Sequence, residues 1–225
     1  MRVSVVIPAL NEAGCVGELV QEALAQSVNE VVVVDNGSTD GTANIAQQAG
    51  ARVVSEPRRG YGYACASGVA ATDANVLVFL DGDGSSLPSE MPSLLEPITH
   101  GRADLALGSR VLGHVMQAAM PPHQRFGNWL ASKLMNMLYN LRVTDLGPYR
   151  AIKRDLLIQL DMREMTFGWP TEMMVKAARR RARIIEVPVS FHPRRAGRSK
   201  VSGTLRGTLL AAYHILRVTF RYALG

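Results

Sequence analysis

Short apolar runs alternate with segments of helical pattern through the first half of the chain. The runs are rich in valine, and they lie at 3–8, 31–34, 52–55 and 76–80. Segments with helical patterning separate them, near 12–26, 42–49 and 61–71. Runs this uniformly apolar are typical of strands covered on both faces, and the intervening helices favour right-handed crossovers. The pattern therefore predicts an α/β protein with a mostly parallel central sheet flanked by helices.

The second half of the chain is less regular. Further strands are predicted near 104–108 and 183–191, and helices near 124–140, 153–160 and 170–181. The last segment, 204–224, predicts an amphipathic helix whose cationic side chains share one arc, namely Arg206, His214, Arg217 and Arg221. Such a helix fits either attachment to a membrane surface or packing on protein. Since the sequence contains no linker or internal repeat, we expect one domain over 1–225.

The net charge of +6 and the isoelectric point near 9.7 narrow the classes of partner. Much of the positive charge follows residue 150, for example in Arg179-Arg180-Arg181 and Arg194-Arg195. Charge of this kind suits nucleic acid, anionic lipid or a phosphorylated substrate. The sequence has no helix-turn-helix, zinc-finger or aromatic RNA-binding pattern, so we predict no nucleic-acid partner.

Cysteine usage and the N-terminus bear on the compartment. Cys15 and Cys65 lie on different predicted helices without metal-ligand spacing, which indicates neither a disulfide framework nor a zinc site. The first apolar run is too short for a signal peptide, and no run reaches the length of a membrane-spanning helix. We therefore expect a cytoplasmic protein without a membrane-spanning helix.

The acidic pair Asp81-Gly82-Asp83 directly follows the apolar run at 76–80. Alternate residues of an extended segment point the same way, so both carboxylates can reach one hard divalent cation. The phosphates of a substrate would supply further oxygen ligands to that cation. The alternative interpretation is an acidic turn, since Asp and Gly are common in turns.

Two more polar loops follow predicted strands. Pro8-Ala9-Leu10-Asn11-Glu12 comes after the first strand, and 35–41 begins at the end of the second. In open α/β sheets, ligands bind beyond the carboxyl ends of the strands. We therefore expect three polar loops to meet at one edge of the sheet. No Gly-x-Gly-x-x-Gly turn follows the first strand, which argues against a dinucleotide-dependent oxidoreductase.

Together these loops resemble family 2 glycosyltransferases of the GT-A fold, most closely the soluble catalytic domains related to dolichyl-phosphate mannosyl- and glucosyltransferases. The likeness spans nearly the whole chain. The motifs that carry it are Val5-Val6-Ile7-Pro8-Ala9-Leu10-Asn11-Glu12, Val34-Asp35-Asn36-Gly37-Ser38-Thr39-Asp40-Gly41-Thr42, Asp81-Gly82-Asp83, Gly108-Ser109-Arg110, Asp145-Leu146-Gly147-Pro148-Tyr149-Arg150 and Pro188-Val189-Ser190-Phe191 with Gly197-Arg198-Ser199-Lys200.

The resemblance implies a division of labour along the chain. Residues 1–110 would bind the nucleotide-sugar, 111–203 would form the acceptor side with a basic lid, and 204–224 would be the C-terminal helix. The residues expected at the nucleotide-sugar are Pro8, Leu10, Glu12, Asp35, Gly37, Ser38, Arg59 and Asp81. Asp83, together with Asp81, would hold Mg²⁺ or Mn²⁺ against the diphosphate. For Glu12 the alternative is an acid that interacts with a helix dipole, and for Asp40 it is a helix cap.

On the acceptor side, the resemblance makes Asp145, Glu172 and Arg110 the candidate catalytic residues. A hydroxyl acceptor needs a base such as Asp145 or Glu172, whereas a phosphate acceptor is already ionised. Cations would then hold the acceptor or leaving phosphates, namely Arg150, Arg194, Arg195, Arg198 and Lys200. Structural alternatives remain open: Asp145 could be a buried partner of Arg150, and Glu172 could cap a helix after Pro170.

The function expected from the resemblance is metal-dependent, inverting transfer of a hexose from a UDP- or GDP-sugar, with a polyprenyl phosphate as the acceptor. A lipid-linked acceptor would place the enzyme peripherally at the inner face of a membrane. The alternatives are transfer to a sugar hydroxyl or small metabolite, or a non-catalytic subunit that binds a nucleotide-sugar. A homodimer is compatible with the sequence.

Overall fold

A seven-stranded sheet forms the centre of the protein in the computed structural model, which describes residues 1–117, 119–197 and 205–223. The strands are β1 (Val3–Ala9), β2 (Glu30–Asp35), β3 (Arg52–Ser55), β4 (Val76–Phe79), β5 (Leu105–Ser109), β6 (Arg150–Lys153) and β7 (Ile184–Pro188). Their spatial order is β3-β2-β1-β4-β6-β5-β7. Only β6 runs antiparallel to its neighbours β4 and β5, so the predicted mostly parallel sheet is confirmed.

Helices cover both faces of this sheet. They are α1 (Val16–Leu24), α2 (Thr42–Gln48), α3 (Tyr61–Ala70), α4 (Met91–Thr99), α5 (Pro122–Tyr139), α6 (Arg154–Leu160), α7 (Trp169–Arg179) and α8 (Leu205–Arg221), with a 3₁₀ turn at Pro88–Glu90 before α4. Within the described ranges, no helix combines the length and the apolar character that crossing a membrane requires.

The central strands are buried on both faces, as their sequence predicts. Val5 and Ile7 of β1 pack into one core layer, whereas Val6 between them packs into the other. This follows from the two-residue period of a strand, which sends successive side chains to opposite faces. Because neither face is left to solvent, the strand ends are the places where the sheet meets a ligand.

The short strand β6 and the helix α4 were not predicted from the sequence. β6 inserts between β4 and β5 in antiparallel orientation, with Phe79 opposite Arg150. Its four residues include an arginine and a lysine, so neither an apolar run nor a clear alternation marks it. The proline Pro97 inside α4 similarly disguises a helical pattern.

The C-terminal helix α8 forms where the amphipathic pattern predicts it and packs on α5 and α7. Val218 and Thr219 are buried, and the Tyr139 hydroxyl donates to the Thr219 carbonyl. Two members of the predicted cationic arc face protein, because Arg217 pairs with Glu164 and His214 lies beside the same carboxylate. The Arg206 side chain falls outside the described part of the structure. The arc as a whole therefore does not face outward toward a membrane, because Arg217 and His214 contact protein.

Candidate active site

The carboxyl ends of β1, β2 and β4 open into one cavity of about 560 Å³. The β1 loop contributes Pro8, Leu10 and Glu12, and the β4 loop contributes Asp81 and Asp83. The wall also includes Asn36, Arg59, Tyr61, Ser85, Arg110, Gln124, Phe191, Arg194, Leu210 and His214. The structure thus brings together two of the three loops that the sequence placed at this edge, and the third contributes only Asn36.

Asp81 lies inside the cavity, where it accepts a hydrogen bond of 3.0 Å from the Tyr61 hydroxyl. Removal from water, followed by the neighbouring Asp83 carboxylate, raises the pKa of Asp81 to about 7. Asp83 is less enclosed, and its Oδ1 accepts a bond of 3.0 Å from the Ser85 backbone amide. Two adjacent carboxylates that repel each other in this way form a site that a divalent cation would stabilise.

Arg194 reaches across the cavity from the basic segment after β7. Its Nη2 donates to both carboxylate oxygens of Glu12 at 2.7 Å, and its Nη1 lies 3.5 Å from Asp83 Oδ2. The guanidinium therefore bridges the β1 and β4 loops. A cation in this position is suited to a diphosphate that enters beside Asp83.

The described part of the basic segment is docked on the β4 loop. The His192 amide donates to the Ser85 carbonyl at 2.8 Å, and the Arg195 amide donates to the Asp83 carbonyl at 3.1 Å. The Arg195 side chain pairs with Glu22 at 2.7 Å and does not line the cavity, and its expected contact with a phosphate stays a prediction. The same prediction for Arg198 and Lys200 lies outside the described residues.

Asp145 does not face the cavity as the predicted base. It is 1% exposed, and its carboxylate accepts bonds from the backbone amide, Nε and Nη2 of Arg110 at 2.7 to 2.8 Å. The partner considered in the sequence, Arg150, is not the one it pairs with. Arg110 itself lines the cavity, with its guanidinium 4.9 Å from the centre of the Phe191 ring. Asp145 therefore positions Arg110.

Glu172, the other candidate base, lies away from the cavity as well. It is fully buried on α7 outside the cavity, where it accepts from Lys176 Nζ at 2.8 Å and from the Tyr222 hydroxyl at 2.6 Å. The backbone amides of Arg163 and Glu164 donate to its other oxygen at 2.9 and 2.7 Å. These contacts join α7 to the segment before it and to the end of α8, so Glu172 has a structural role.

Arg150 is likewise removed from any acceptor phosphate. It is completely buried and donates to the carbonyl oxygens of Pro148 and Pro170 at 3.3 and 2.8 Å. Burial lowers the pKa of Arg150 to about 10, which leaves it a cation at neutral pH. Arg150 therefore acts on Asp81 only through its charge, from beneath the cavity.

The loop after β2 contributes to the site in an indirect way. Asp35 accepts from the Ser38 amide at 3.1 Å, and the Ser38 hydroxyl accepts from the Asn11 amide at 2.9 Å, which ties the β1 and β2 loops together. Neither residue lines the cavity, nor does Gly37. Their expected contacts with a nucleotide stay a prediction. Asp40, bonded to Thr42 at the start of α2, behaves as the structural alternative proposed.

Asn36 is the residue in this loop that the sequence reasoning missed. Its side-chain amide donates to the carbonyls of Glu56 and Arg58 at 2.8 and 2.7 Å, and its Oδ1 accepts from the Gly60 amide at 3.0 Å. These bonds hold the loop that carries Arg59 into the cavity. An Asn that follows a strand and precedes a Gly was a visible signal, although its partners, 20 to 24 residues further along the chain, were not.

The fold, with a metal-suited carboxylate pair at the carboxyl ends of parallel strands, defines the class of protein: a glycosyltransferase of the GT-A fold. The structure of glucosyl-3-phosphoglycerate synthase from Mycobacterium tuberculosis, solved in complex with Mn²⁺, UDP and glucosyl-3-phosphoglycerate, matches with a TM-score of 0.81. The match covers 99% of this chain and 80% of that one at 24% identity.

Sequence comparison gives the family. The family model described as Glycosyl transferase family 2 matches residues 4–161, so the chain belongs to this family. An uncharacterized glycosyltransferase of Mycobacterium tuberculosis is 37% identical over 216 residues, which is 96% of this chain and 97% of that protein. The undecaprenyl-phosphate mannosyltransferase of Micrococcus luteus is 33% identical over 227 residues, covering 92% of this chain and 90% of that protein. The predicted family and enzyme class are therefore confirmed.

Proposed function

We propose that this glycosyltransferase moves a hexose from a UDP- or GDP-sugar to a polyprenyl phosphate. The observation that carries the proposal is the cavity in which Asp81, Asp83, Arg110 and Arg194 converge. Carboxylates on one side and guanidinium groups on the other suit a cation–diphosphate pair and a second phosphate. The undecaprenyl-phosphate mannosyltransferase, which aligns over most of both chains, supports this acceptor class.

A divalent cation, Mg²⁺ or Mn²⁺, fits the oxygen donors of Asp81 and Asp83. Burial and the neighbouring Asp83 carboxylate raise the pKa of Asp81, a cost that a bound cation would offset, and hard oxygen ligands are those that these ions prefer. When bound, the cation would neutralise charge on the departing diphosphate. The synthase of the same fold was crystallised with Mn²⁺ and UDP, which is consistent with this assignment.

The partners of the carboxylates in the site indicate which class of acceptor it suits. Among the described residues that line the cavity, the carboxylates are Glu12, which pairs with Arg194, and the two metal candidates Asp81 and Asp83. The predicted bases Asp145 and Glu172 are buried and held by cations. A phosphate oxygen needs no base because it is already ionised, so this set suits a phosphate better than a hydroxyl.

Arg110 is the group that we assign to the acceptor phosphate. Asp145 fixes its guanidinium at the cavity wall, at the end of β5, and β4 and β6 lie between β5 and the strand β1 whose loop would take the nucleotide. An acceptor held there would attack the sugar from the side away from the diphosphate, with inversion at the anomeric carbon. The donor's diphosphate would be held by Arg194 and the cation site.

Binding and turnover measurements test the proposal together. By titration calorimetry, UDP or GDP should bind in the presence of Mn²⁺ and lose most of its affinity in Asp83→Asn. Asp73→Asn is the matched control, because this exposed acid pairs with Arg2 away from the cavity and should leave metal-dependent binding intact. The native chain with UDP- or GDP-hexose should also glycosylate a short-chain polyprenyl phosphate. Metal-independent binding, or transfer only to alcohols, would refute the proposal.

A further inference from the structure

An apolar stripe runs along the outer side of α5, where a surface helix usually carries polar residues. Phe126 is 63% exposed, Trp129 53% and Met137 73%, and Leu130 lies between them on the same side. Their spacing of three, four and seven residues places them on one helix face. The two aromatic rings are neighbours, with centroids 5.8 Å apart. The inner side of α5 is filled by other residues, including the buried Met135.

The loop after β5 extends this apolar stripe. Val111, Leu112 and Met116 are exposed, and Val111 shares a second cavity of about 330 Å³ with Trp129. We call the combined surface the α5 face; its residues are Val111, Leu112, Met116, Phe126, Trp129, Leu130 and Met137. Contiguous apolar surface of this kind marks a site of interaction with another molecule.

The α5 face adjoins the active site. Arg110 lines both the second cavity and the cavity that holds Asp81 and Asp83, and Gln124 of α5 lines the latter. A ligand whose phosphate reached Arg110 could therefore continue along apolar surface and leave the protein at the α5 face. This continuity relates the surface to the acceptor rather than to the donor nucleotide.

Charge decides between the possible occupants of the α5 face. The sequence contains no acidic residue from Arg110 to Thr144, whereas exposed Arg125, Lys133 and Arg142 lie within that stretch. In an isologous dimer the same face would meet itself, so cation would be set against cation. An anionic lipid surface instead complements the positive charge and takes up aromatic and aliphatic side chains.

We propose that the α5 face docks the enzyme on an anionic lipid bilayer, with Phe126 and Trp129 inserted at the interface. This inference rests on the proposed function, because a membrane-borne polyprenyl phosphate is the substrate that such docking would deliver. Aromatic side chains favour the interface, and Arg125 and Lys133 would reach lipid phosphates. The surface differs from the predicted cationic arc of α8, in which Arg217 is taken up by Glu164.

Tryptophan fluorescence reports the docking directly. The chain has two tryptophans, and Trp169 is buried in the core against Phe79, so Trp129 is the one that a bilayer can reach. Vesicles of phosphatidylcholine with phosphatidylglycerol should shift the emission to shorter wavelength, and brominated lipid should quench it. Vesicles of phosphatidylcholine alone should give a weaker response. Unchanged emission with both kinds of vesicle would overturn the proposal.

Co-sedimentation with the same vesicles tests the residues. Phe126→Ser combined with Trp129→Ser should weaken partitioning about tenfold or more, since two aromatic side chains no longer bury apolar area. Ile158→Ser is the matched control, because Ile158 is 58% exposed on α6 and outside the α5 face. Equal losses in both variants would contradict a specific face. A change of oligomeric state in the double variant, without loss of vesicle binding, would assign the face to a second copy and overturn the proposal.

Failure of the docking surface is distinguishable from failure of the proposed function. Metal-dependent UDP or GDP binding does not need a bilayer and uses no residue of the α5 face, and the native chain should transfer sugar to a short, water-soluble polyprenyl phosphate without vesicles. If nucleotide binding persists in the double variant while vesicle-borne acceptor is used less well, both proposals hold. If the native chain binds nucleotide and glycosylates the short acceptor but never binds vesicles, the function stands and the surface is wrong. Vesicle binding by a chain that transfers no sugar would contradict the function instead.

Discussion

The Asp145 carboxylate accepts two hydrogen bonds of 2.7 Å from the Arg110 side chain, from Nε to Oδ2 and from Nη2 to Oδ1. A third bond, from the Arg110 backbone amide, reaches the same carboxylate at 2.8 Å. This parallel arrangement fixes the plane of the guanidinium as well as its position. Asp145 is therefore a positioning residue, which acts on a ligand only through Arg110.

Asp145→Asn should raise the KM for the acceptor and leave the pH dependence of kcat unchanged, because the variant disturbs Arg110 and removes no base. Breaking the buried pair should also lower the free energy of unfolding by about 3–5 kcal/mol. Steady-state kinetics over a pH range and urea denaturation check the two effects.

Asp73→Asn provides the control for stability. Asp73 pairs with Arg2 at 2.9 Å on the surface, where both side chains are exposed, so its loss should cost less than about 1 kcal/mol. A kcat for Asp145→Asn that loses its pH dependence while the KM for the acceptor stays unchanged would contradict the positioning role, since that is the signature of a missing base.

Glu172→Gln should destabilise the protein most at neutral pH. Burial raises the pKa of Glu172, but hydrogen bonds from Lys176, from Tyr222 and from two backbone amides lower it by more. The net shift of the pKa is therefore downward. A carboxylate with a depressed folded-state pKa contributes stability above its unfolded pKa of about 4.3 and loses it as the pH falls through the folded value. Urea denaturation from pH 7 into acid should therefore show a difference between native and variant that shrinks below about pH 4.

The exposed pair of Glu96 and Arg102 supplies the comparison for that experiment. Glu96→Gln should change the free energy of unfolding by less than about 1 kcal/mol at any pH. A Glu172→Gln effect that stayed constant into acid would show that packing rather than charge is responsible, and a kcat that lost its pH dependence would restore Glu172 as a base.

Local pattern accounts for what the sequence predicted and for what it missed. The strands of the first half are continuous apolar runs, so β1 and β4 were found to within a few residues, and with them Asp81 and Asp83 at a strand end. The predicted site residues that do not line the cavity include those whose position depends on distant partners. Asp145 meets Arg110, and Arg195 meets Glu22.

Such pairs are set by how the second half folds back on the first. β6 inserts between β4 and β5, and its burial of Arg150 turns a predicted phosphate ligand into an internal cation. Arg110 lies at the cavity because it directly follows β5, where the sheet edge places it, and Arg194 reaches the cavity from the segment after β7. The α5 face was not predicted, because an apolar stripe on a helix usually packs against the core.

Arg194→Gln should have opposite effects on the affinity for the metal ion and on the affinity for the nucleotide. Without nucleotide, Mn²⁺ should bind more tightly, because the guanidinium 3.5 Å from Asp83 no longer repels the cation. With Mn²⁺ present, UDP or GDP should bind about tenfold more weakly, because one charge-assisted contact to phosphate is lost. Calorimetric titrations of metal alone and of nucleotide with metal measure both.

Arg195→Gln is the neighbouring control, since its side chain pairs with Glu22 outside the cavity and should leave both affinities nearly unchanged. Equal effects of the two substitutions would indicate that the whole segment is displaced. Weaker metal binding in Arg194→Gln would show that Arg194 supports the metal site rather than competing with it.

Replacing each of two helical glycines by alanine should change the free energy of unfolding in opposite directions. Gly68 of α3 faces β1, and an added Cβ would lie 2.3 Å from Val6 Cγ1, a buried branched side chain with little freedom to move. Gly68→Ala should therefore cost about 1–3 kcal/mol through overpacking. Gly127 of α5 is exposed with nothing within 4 Å of such a Cβ, so Gly127→Ala should stabilise by about 0.5–1 kcal/mol through helix propensity. Urea denaturation of both variants measures the signs, and stabilisation by Gly68→Ala would contradict the close approach of α3 to β1.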